Sequence, residues 1–423
     1  MIVSGSVRVP GDKSITHRAL LFAALAGGKS HIGGALTSFD AKSSARVLRA
    51  LGVGISPLSP ERVITVEGRR KFARPDAVLD CGNSGTTTRL LLGMLAGHRF
   101  KATLTGDASL RKRPMRRVTV PLAMMGAKFV ETDGKDGLPL TITGGPLQRL
   151  SYEQPVSSAQ IKSSLLLAGV VAGVEVDVRE PHGRSRDHTE RMLRAFGYTV
   201  IDDNGGWIRL RPTGRIEPFD LQVPGDPSSA AFLVGAALLA EGGELHLADV
   251  GVNPTRIGFL SVLERMGAHV SQEVVGEEGG EPVAELLVRP TRLRATEVVA
   301  AEIPGLIDEI PLLAVLASRA EGTTVFRSVG ELRVKESDRL GLIAENLRNV
   351  GMTAEVQGDD LHVTGTDRPP VGKVRTAADH RLAMAFGVLG TVKGAKIRID
   401  DKECAGVSFP GFWDTLRRIG RKG

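Results

Sequence analysis

Two cysteines in 423 residues exclude a disulfide framework and fit a reducing compartment. Neither Cys81 nor Cys404 has a CxxC partner, and the nine histidines show no HExxH or comparable ligand spacing, so no metal is expected. Aromatics are also scarce: two Trp and two Tyr leave few platforms on which bases could stack. That counts against nucleic acid as the partner behind a net charge of +7, which a field that attracts small anions explains equally well. Apart from Arg111-Lys112-Arg113 with Arg116-Arg117, the basic residues are scattered. No apolar run approaches the ~18 residues of a membrane span. Met1 to Asp12 reads as a strand and a turn, without the basic and apolar regions of a secretory signal. The expectation is a soluble cytoplasmic protein with neither a membrane nor a nucleic-acid partner.

What is present is a repeat. A helix-like segment that stops at glycine recurs as VLRALG (Gly52), PLAMMG (Gly126), MLRAFG (Gly197), VLERMG (Gly267), NLRNVG (Gly351) and TLRRIG (Gly420). Apolar residues at i, i+3 and i+4 followed by Gly describe an amphipathic helix with a C-terminal glycine stop. A second series interleaves with it, beginning near His17, Thr86, Ala159, Ser228, Ile307 and His380. These segments are apolar nearly all round and should be buried. Strand-like runs such as VITVEG, LPLTITG, IRLRPTG, AELLVRP and DLHVTG separate the units. Six units of roughly 70 residues exceed the usual solenoid period of about 20–50. They suggest three units packed around each of two centres, giving two similar α/β domains.

The polar chemistry gathers just before the buried helices: Lys13-Ser14, Asn83-Ser84-Gly85 and Ser157-Ser158 in the first half, Asp308 and Asp379-His380 in the second. A helix N-terminus offers unpaired N–H groups and partial positive charge to phosphates and carboxylates. Ser, Asn and Asp at such places also serve as plain N-caps. PGDKSITHR (Pro10 to Arg18) adds Lys13 and Arg18, which can supply point-charge and bidentate contacts to an anion. GNSGTTTR (Gly82 to Arg89) is a small-residue loop suited to close backbone approach to a ligand. AGGKS (Ala26 to Ser30) imitates a P-loop, but Ala23 stands where the first glycine belongs and the segment ends a helix. RVKESDRL (Arg333 to Leu340) would place Lys335 and Arg339 on one helical face, unfavourable without an anion between them. ADHRLAM brings His380 and Arg381 to a helix start. Asp308, among apolar residues, is an N-cap, is paired with a lysine, or is poised as a base.

Together these motifs resemble the 5-enolpyruvylshikimate-3-phosphate synthase family over the whole chain. The resemblance also runs through KRPM (Lys112 to Met115), SSAQIKS, SRDHTE (Ser185 to Glu190), VPGDPSSAAF and LIDEIP. It implies a two-domain inside-out α/β barrel in which each domain has three βαβαββ repeats. Residues 10–223 would form one domain, residues 1–9 and 224–423 the other, with the active site in the interdomain cleft. It implies transfer of the enolpyruvyl group of phosphoenolpyruvate to the 5-hydroxyl of shikimate 3-phosphate, by a monomer without cofactor. Shikimate 3-phosphate should meet Lys13, Ser14, Arg18, Ser158, Ala159, Gln160, Arg186, Asp308 and Lys335. Phosphoenolpyruvate should meet Lys13, Gly85, Arg113, Gln160, Arg339 and Arg381. Asp308 would take the hydroxyl proton and Glu336 would protonate the methylene carbon, with Lys13 sharing in proton transfer.

The chain departs from part of the family at Glu331, Val407 and Leu90, where many members carry Asn, Lys and Pro respectively. These differences resemble a subgroup that includes glyphosate-tolerant enzymes, whereas Gly85 is the residue of sensitive ones. Two other readings are a UDP-N-acetylglucosamine enolpyruvyl transferase, whose loop cysteine and KNAA-type motif are not visible here, and a non-catalytic anion-binding repeat protein. Cationic residues in both halves also suggest closure of the domains on anionic ligands.

Overall fold

The computed structural model describes residues 1–421 except 61, 182, 203 and 204. The chain divides into two compact units, each with its own apolar core. One comprises Gly11–Val223 with Glu277–Glu281; the other comprises Met1–Pro10, Pro224–Gly276 and Pro282 onward.

In the unit built on Gly11–Val223, one pattern occurs three times. A short strand leads through a buried helix to a parallel neighbour, and an antiparallel hairpin completes a four-stranded sheet. In the second repeat Leu79–Asp80 leads through the helix Gly85–Ala96 to Lys101–Thr105, which pairs with Leu140–Thr143, which pairs with Lys128–Glu131. The third has Leu150–Glu153, the helix Ala159–Ala172, Val176–Arg179, Trp207–Arg211 and Thr199–Asp202 in the same order. The first repeat has the helix Lys13–Leu25 and strands Lys29–Gly33, Ile64–Glu67 and Gly54–Ile55. Its edge strand comes from the far end of the unit, Asp220–Gln222, with Asp220 opposite His31. That closure brings the third repeat round to the first.

The strands alternate, with Ile64 and Val66 inward and Glu67 outward, so each sheet turns one face to the helices. The helices are buried nearly all round, as their composition requires: every residue from Ile15 to Leu25 is buried. They also approach closely. A Cβ on Gly93 would lie 2.0 Å from the Ser164 carbonyl oxygen, so only glycine permits this crossing of the Gly85 and Ala159 helices. Any side chain there would push apart two helices whose first turns carry candidate ligands.

The other unit repeats the pattern around the helices Pro227–Leu238, Ile310–Ala317 and His380–Leu389. Its first sheet takes its edge strand, Gly5–Arg8, from the start of the chain, paired in parallel with Leu245–Gly251. The sixth repeat differs from the expected βαβαββ. Val371–Val374 and Lys396–Ile399 form a sheet of two strands, and after the helix Phe412–Ile419 the chain pairs with Ile2–Val3. The glycine stops divide the same way. Gly52, Gly126, Gly197, Gly267 and Gly351 have φ between 82 and 116°, the left-handed region that glycine enters freely. Gly420 is extended at φ −92°, because there the chain goes straight into a strand. Among the described residues no helix is long and apolar enough to cross a membrane.

Candidate active site

In the Gly11–Val223 unit the predicted residues come together around the first turns of its three buried helices. Asp12, fully buried, caps the first helix by accepting from Ile15 N at 2.8 Å, which leaves Lys13 and Ser14 inside the helix. Lys13 Nζ lies 3.5 Å from Asp40 and remains 19% exposed. Ser84 caps the second helix through Thr87 N at 3.1 Å. Ser158 stands at the N-cap of the third, but its hydroxyl makes no capping bond, so capping does not explain this serine. Gln160 joins two helices: its amide donates to Thr86 Oγ1 at 3.1 Å, and its carbonyl oxygen accepts from Arg89 Nη1. Arg113 Nη2 donates to Asn83 Oδ1 at 2.7 Å. A Cβ placed on Gly85 would sit 3.2 Å from Arg113 Nη1 and 3.5 Å from Arg89 Nη1, so this first residue of the helix faces two guanidinium groups.

Arg18 is placed more deeply than its motif suggested. It is 3% exposed, and it donates to Thr189 Oγ1, Ser163 Oγ and the Ser14 carbonyl at 2.8 to 3.0 Å. Burial pushes its pKa down to about 10 against the pull of Glu190, Asp12 and Glu281, and Arg186 is close enough to push the same way as burial. A five-donor guanidinium with three donors so held can offer at most two to a ligand. Behind it Lys162, 1% exposed, pairs with Glu180 at 2.8 Å and Glu190 at 2.7 Å. Sequence reading missed this triad; its signal was a lysine at an inward position of an apolar helix.

His17 belongs to a buried chain that fixes its tautomer. Thr87 donates its hydroxyl to Ser84 at 2.7 Å, so it accepts from Ser44, and Ser44 accepts from His17 Nδ1–H at 2.8 Å. Burial, with Lys13 and Arg18 nearby, lowers its pKa to about 3. A base whose folded pKa lies below its unfolded value favours the unfolded state as pH falls from about 6.5 toward 3. In ¹⁵N spectra His17 is expected to remain a neutral Nδ1–H imidazole from pH 8 to about pH 4. An imidazolium signal appearing near pH 6.5 would contradict the arrangement.

In the other unit Asp308, Glu336, Arg339 and Arg381 meet. Asp308 lies in the turn between Ile303–Leu306 and Ile310–Ala317, and the N-cap position belongs to Glu309, so Asp308 is not the cap. Its carboxylate accepts from Arg339 Nη1 at 3.1 Å and lies 3.5 Å from Arg381 Nη2; its carbonyl accepts from Arg381 Nη1 at 3.1 Å. Asp379, fully buried, caps the His380–Leu389 helix through Arg381 N and holds Arg339 Nε at 2.7 Å. Glu336 pairs with Arg339 at 2.6 Å and is 29% exposed, on the wall of an open cavity of about 470 Å³.

The expectation that Lys335 and Arg339 share a helical face does not hold. Gly330–Val334 is a 3₁₀ turn ending at Lys335, and Asp338 caps a separate helix, Arg339–Asn349, through Gly341 N. The anions needed beside these cations come from the protein. Burial opposes the charge of Arg339, but Asp379, Glu336 and Asp308 outweigh it and raise its pKa. Burial lowers the Lys335 pKa against Asp308 and Glu331, leaving an ammonium that would gain from an added anion. The approach to Asp379 is strained. Ala377 and Ala378 both have positive φ, 50 and 59°, at roughly 1–2 kcal/mol each, and they deliver Asp379 to Arg339.

Two constellations thus place cations beside carboxylates, one in each unit. A family model described as EPSP synthase (3-phosphoshikimate 1-carboxyvinyltransferase) matches residues 2–416. A 3-phosphoshikimate 1-carboxyvinyltransferase of Synechococcus sp. (strain RCC307) is 48% identical over 424 residues, covering 99% of this chain and 97% of that protein. One from Geobacter sp. (strain M21) is 45% identical over 416 residues, covering 98% and 96%. Among solved structures, an EPSP synthase from Acinetobacter baumannii at 40% identity has a TM-score of 0.88, over 99% of this chain and 96% of its own. The enolpyruvyl transferase NikO from Streptomyces tendae, 19% identical with a TM-score of 0.78 over 100% of this chain and 96% of that one, shares the fold. Cations and carboxylates are therefore carried on a chain that belongs to the EPSP synthase family.

Proposed function

We propose that this chain transfers the enolpyruvyl group of phosphoenolpyruvate to the 5-hydroxyl of shikimate 3-phosphate, releasing phosphate. The observation that carries the mechanism is the sharing of Asp308 between Arg339 and Arg381. A carboxylate between two guanidiniums keeps its charge, and it becomes available as a base when anionic groups of a substrate engage those arginines. In this reading shikimate 3-phosphate meets Lys13, Ser14, the two remaining donors of Arg18, Ser158, Ala159, Gln160, Arg186, Asp308 and Lys335. Phosphoenolpyruvate meets Lys13, Gly85, Arg113, Gln160, Arg339 and Arg381.

Asp308 takes the proton of the 5-hydroxyl as its oxygen adds to C2 of phosphoenolpyruvate, and Glu336 delivers a proton to C3. Glu336 then takes a proton back from C3 as phosphate departs and the double bond is restored, and the proton held by Asp308 leaves on the phosphate, with Lys13 sharing in the transfer. Protons and charges balance with no cofactor, so positioning and electrostatics supply the catalysis. The two cysteines are buried and unpaired, which suits a reducing cytoplasm, and each unit has its own core, which suits a monomer.

The test is phosphate release from phosphoenolpyruvate by the purified chain. Release that requires shikimate 3-phosphate is expected. Release supported by UDP-N-acetylglucosamine instead would move the assignment to that transferase, and none with either acceptor would favour a binding protein. Glyphosate inhibition offers a finer check. Because a Cβ at residue 85 presses on Arg113, Gly85→Ala is expected to raise the inhibition constant about tenfold, about 1.4 kcal/mol, and an unchanged constant would sink the idea.

A further inference from the structure

The mechanism uses Asp308 and leaves unused the carboxylate beside it. Glu309 is 2% exposed and occupies the N-cap position of the Ile310–Ala317 helix, yet its side chain makes no capping bond. It is engaged elsewhere. Its Oε1 accepts the hydroxyl of Ser228 and lies 3.7 Å from Arg381 Nη1. Ser228 in turn accepts from Arg256 Nη2 at 2.8 Å, and Arg256 also reaches Asp226 at 3.3 Å. A guanidinium can only donate, so the chain has one direction: Arg256 to Ser228, Ser228 to Glu309, with Arg381 approaching from the other side. All four side chains belong to residues at most 5% exposed.

Arg381 therefore stands between two neighbouring carboxylates with different freedom. Asp308 is 15% exposed, and its oxygens are shared with Arg339. Glu309 is fixed by Ser228 and Arg256. A base cannot remain the standing counter-ion of a substrate-binding arginine while it takes a proton from the other substrate. We infer that Glu309 is a positioning residue: it holds and neutralises Arg381 while Asp308 turns to the substrate, and the Ser228–Arg256 chain keeps Glu309 in place. This rests on the reading in which Arg381 binds phosphoenolpyruvate.

The experiment is steady-state kinetics on the full chain with Glu309→Gln, Ser228→Ala and Arg381→Lys, with thermal unfolding run alongside. Glu309→Gln keeps the shape and the Ser228 hydrogen bond but removes the charge. It is expected to raise KM for phosphoenolpyruvate about tenfold and leave KM for shikimate 3-phosphate within about twofold. Ser228→Ala is expected to shift the same constant in the same direction, by less. A folded Glu309→Gln that moves both KM values together, or neither, overturns the inference if Arg381→Lys still raises KM for phosphoenolpyruvate. Should Arg381→Lys leave that constant unchanged, the reading of Arg381 fails, and the inference with it. Should Glu309→Gln not fold, Ser228→Ala decides, and the absence of a selective effect there overturns the inference.

Discussion

Asp308→Asn is expected to lower kcat by about 10²–10⁴-fold, the usual contribution of a general base, with both KM values changed only a few-fold. The substitution is nearly isosteric, so the side-chain oxygen can still accept from Arg339 Nη1, and the backbone carbonyl still accepts from Arg381 Nη1. Arg339 keeps Asp379 and Glu336, so the cluster loses one charge out of three without collapsing. What disappears is the ability to accept a proton. A kcat within a few-fold of the parent would show that Asp308 only braces the arginines, and the base would have to be sought elsewhere.

Arg339→Met should damage stability as well as turnover. The guanidinium is 1% exposed and is the partner of Asp379, which is fully buried. Removing one member of a buried pair leaves an uncompensated charge, at a cost of about 3–5 kcal/mol. In a unit of this size that lowers its unfolding midpoint by roughly 6–20 °C. Arg339→Lys should rescue little, since a point charge cannot hold Asp379, Asp308 and Glu336 with a planar fork. Acid sensitivity gives a second readout. In the parent, burial pushes the Asp379 pKa up, but Arg339 and His380 outweigh it and hold it below the usual carboxylate value. A depressed pKa contributes stability above about pH 4 that is lost as pH falls through the folded value. In the variant the Arg339 charge is gone while burial and the neighbouring Glu336 still oppose ionisation, so the Asp379 pKa rises. The variant's deficit is then expected to be largest at pH 7 and to shrink toward pH 5 as acid protonates Asp379. Scanning calorimetry at pH 7 and pH 5 measures both effects; equal midpoints for parent and variant would contradict the pairing.

Several of these residues were legible in the sequence and others were not, for physical reasons. Buried helices stand out because they are apolar nearly all round, and glycine stops because only glycine enters the left-handed region freely. Lys13 and Arg381 stand out as cations at helix starts, whereas Arg339 is expected within a helix and Arg113 comes from a basic cluster and the resemblance. Their partners were not legible. Asp379 pairs with Arg339 across 40 residues, and Asp308 meets both Arg339 and Arg381; neither separation leaves a periodic signal. Glu309, Ser228 and Arg256 lie on three segments that only the fold assembles. The helix expected through RVKESDRL is divided because Asp338 caps Arg339–Asn349, and capping competes locally with helix continuation. The sixth repeat lost its hairpin to a pairing with the first residues of the chain, a contact no local pattern announces.

A crystal structure with shikimate 3-phosphate and phosphoenolpyruvate, or a non-reacting analogue of the latter, tests the central claim most directly. The account predicts the 5-hydroxyl within hydrogen-bond reach of Asp308, anionic groups of phosphoenolpyruvate on Arg113, Arg339 and Arg381, and Glu336 facing its methylene carbon. Both ligands bound with Asp308 and Arg339 still paired, and neither residue touching a substrate, would contradict it.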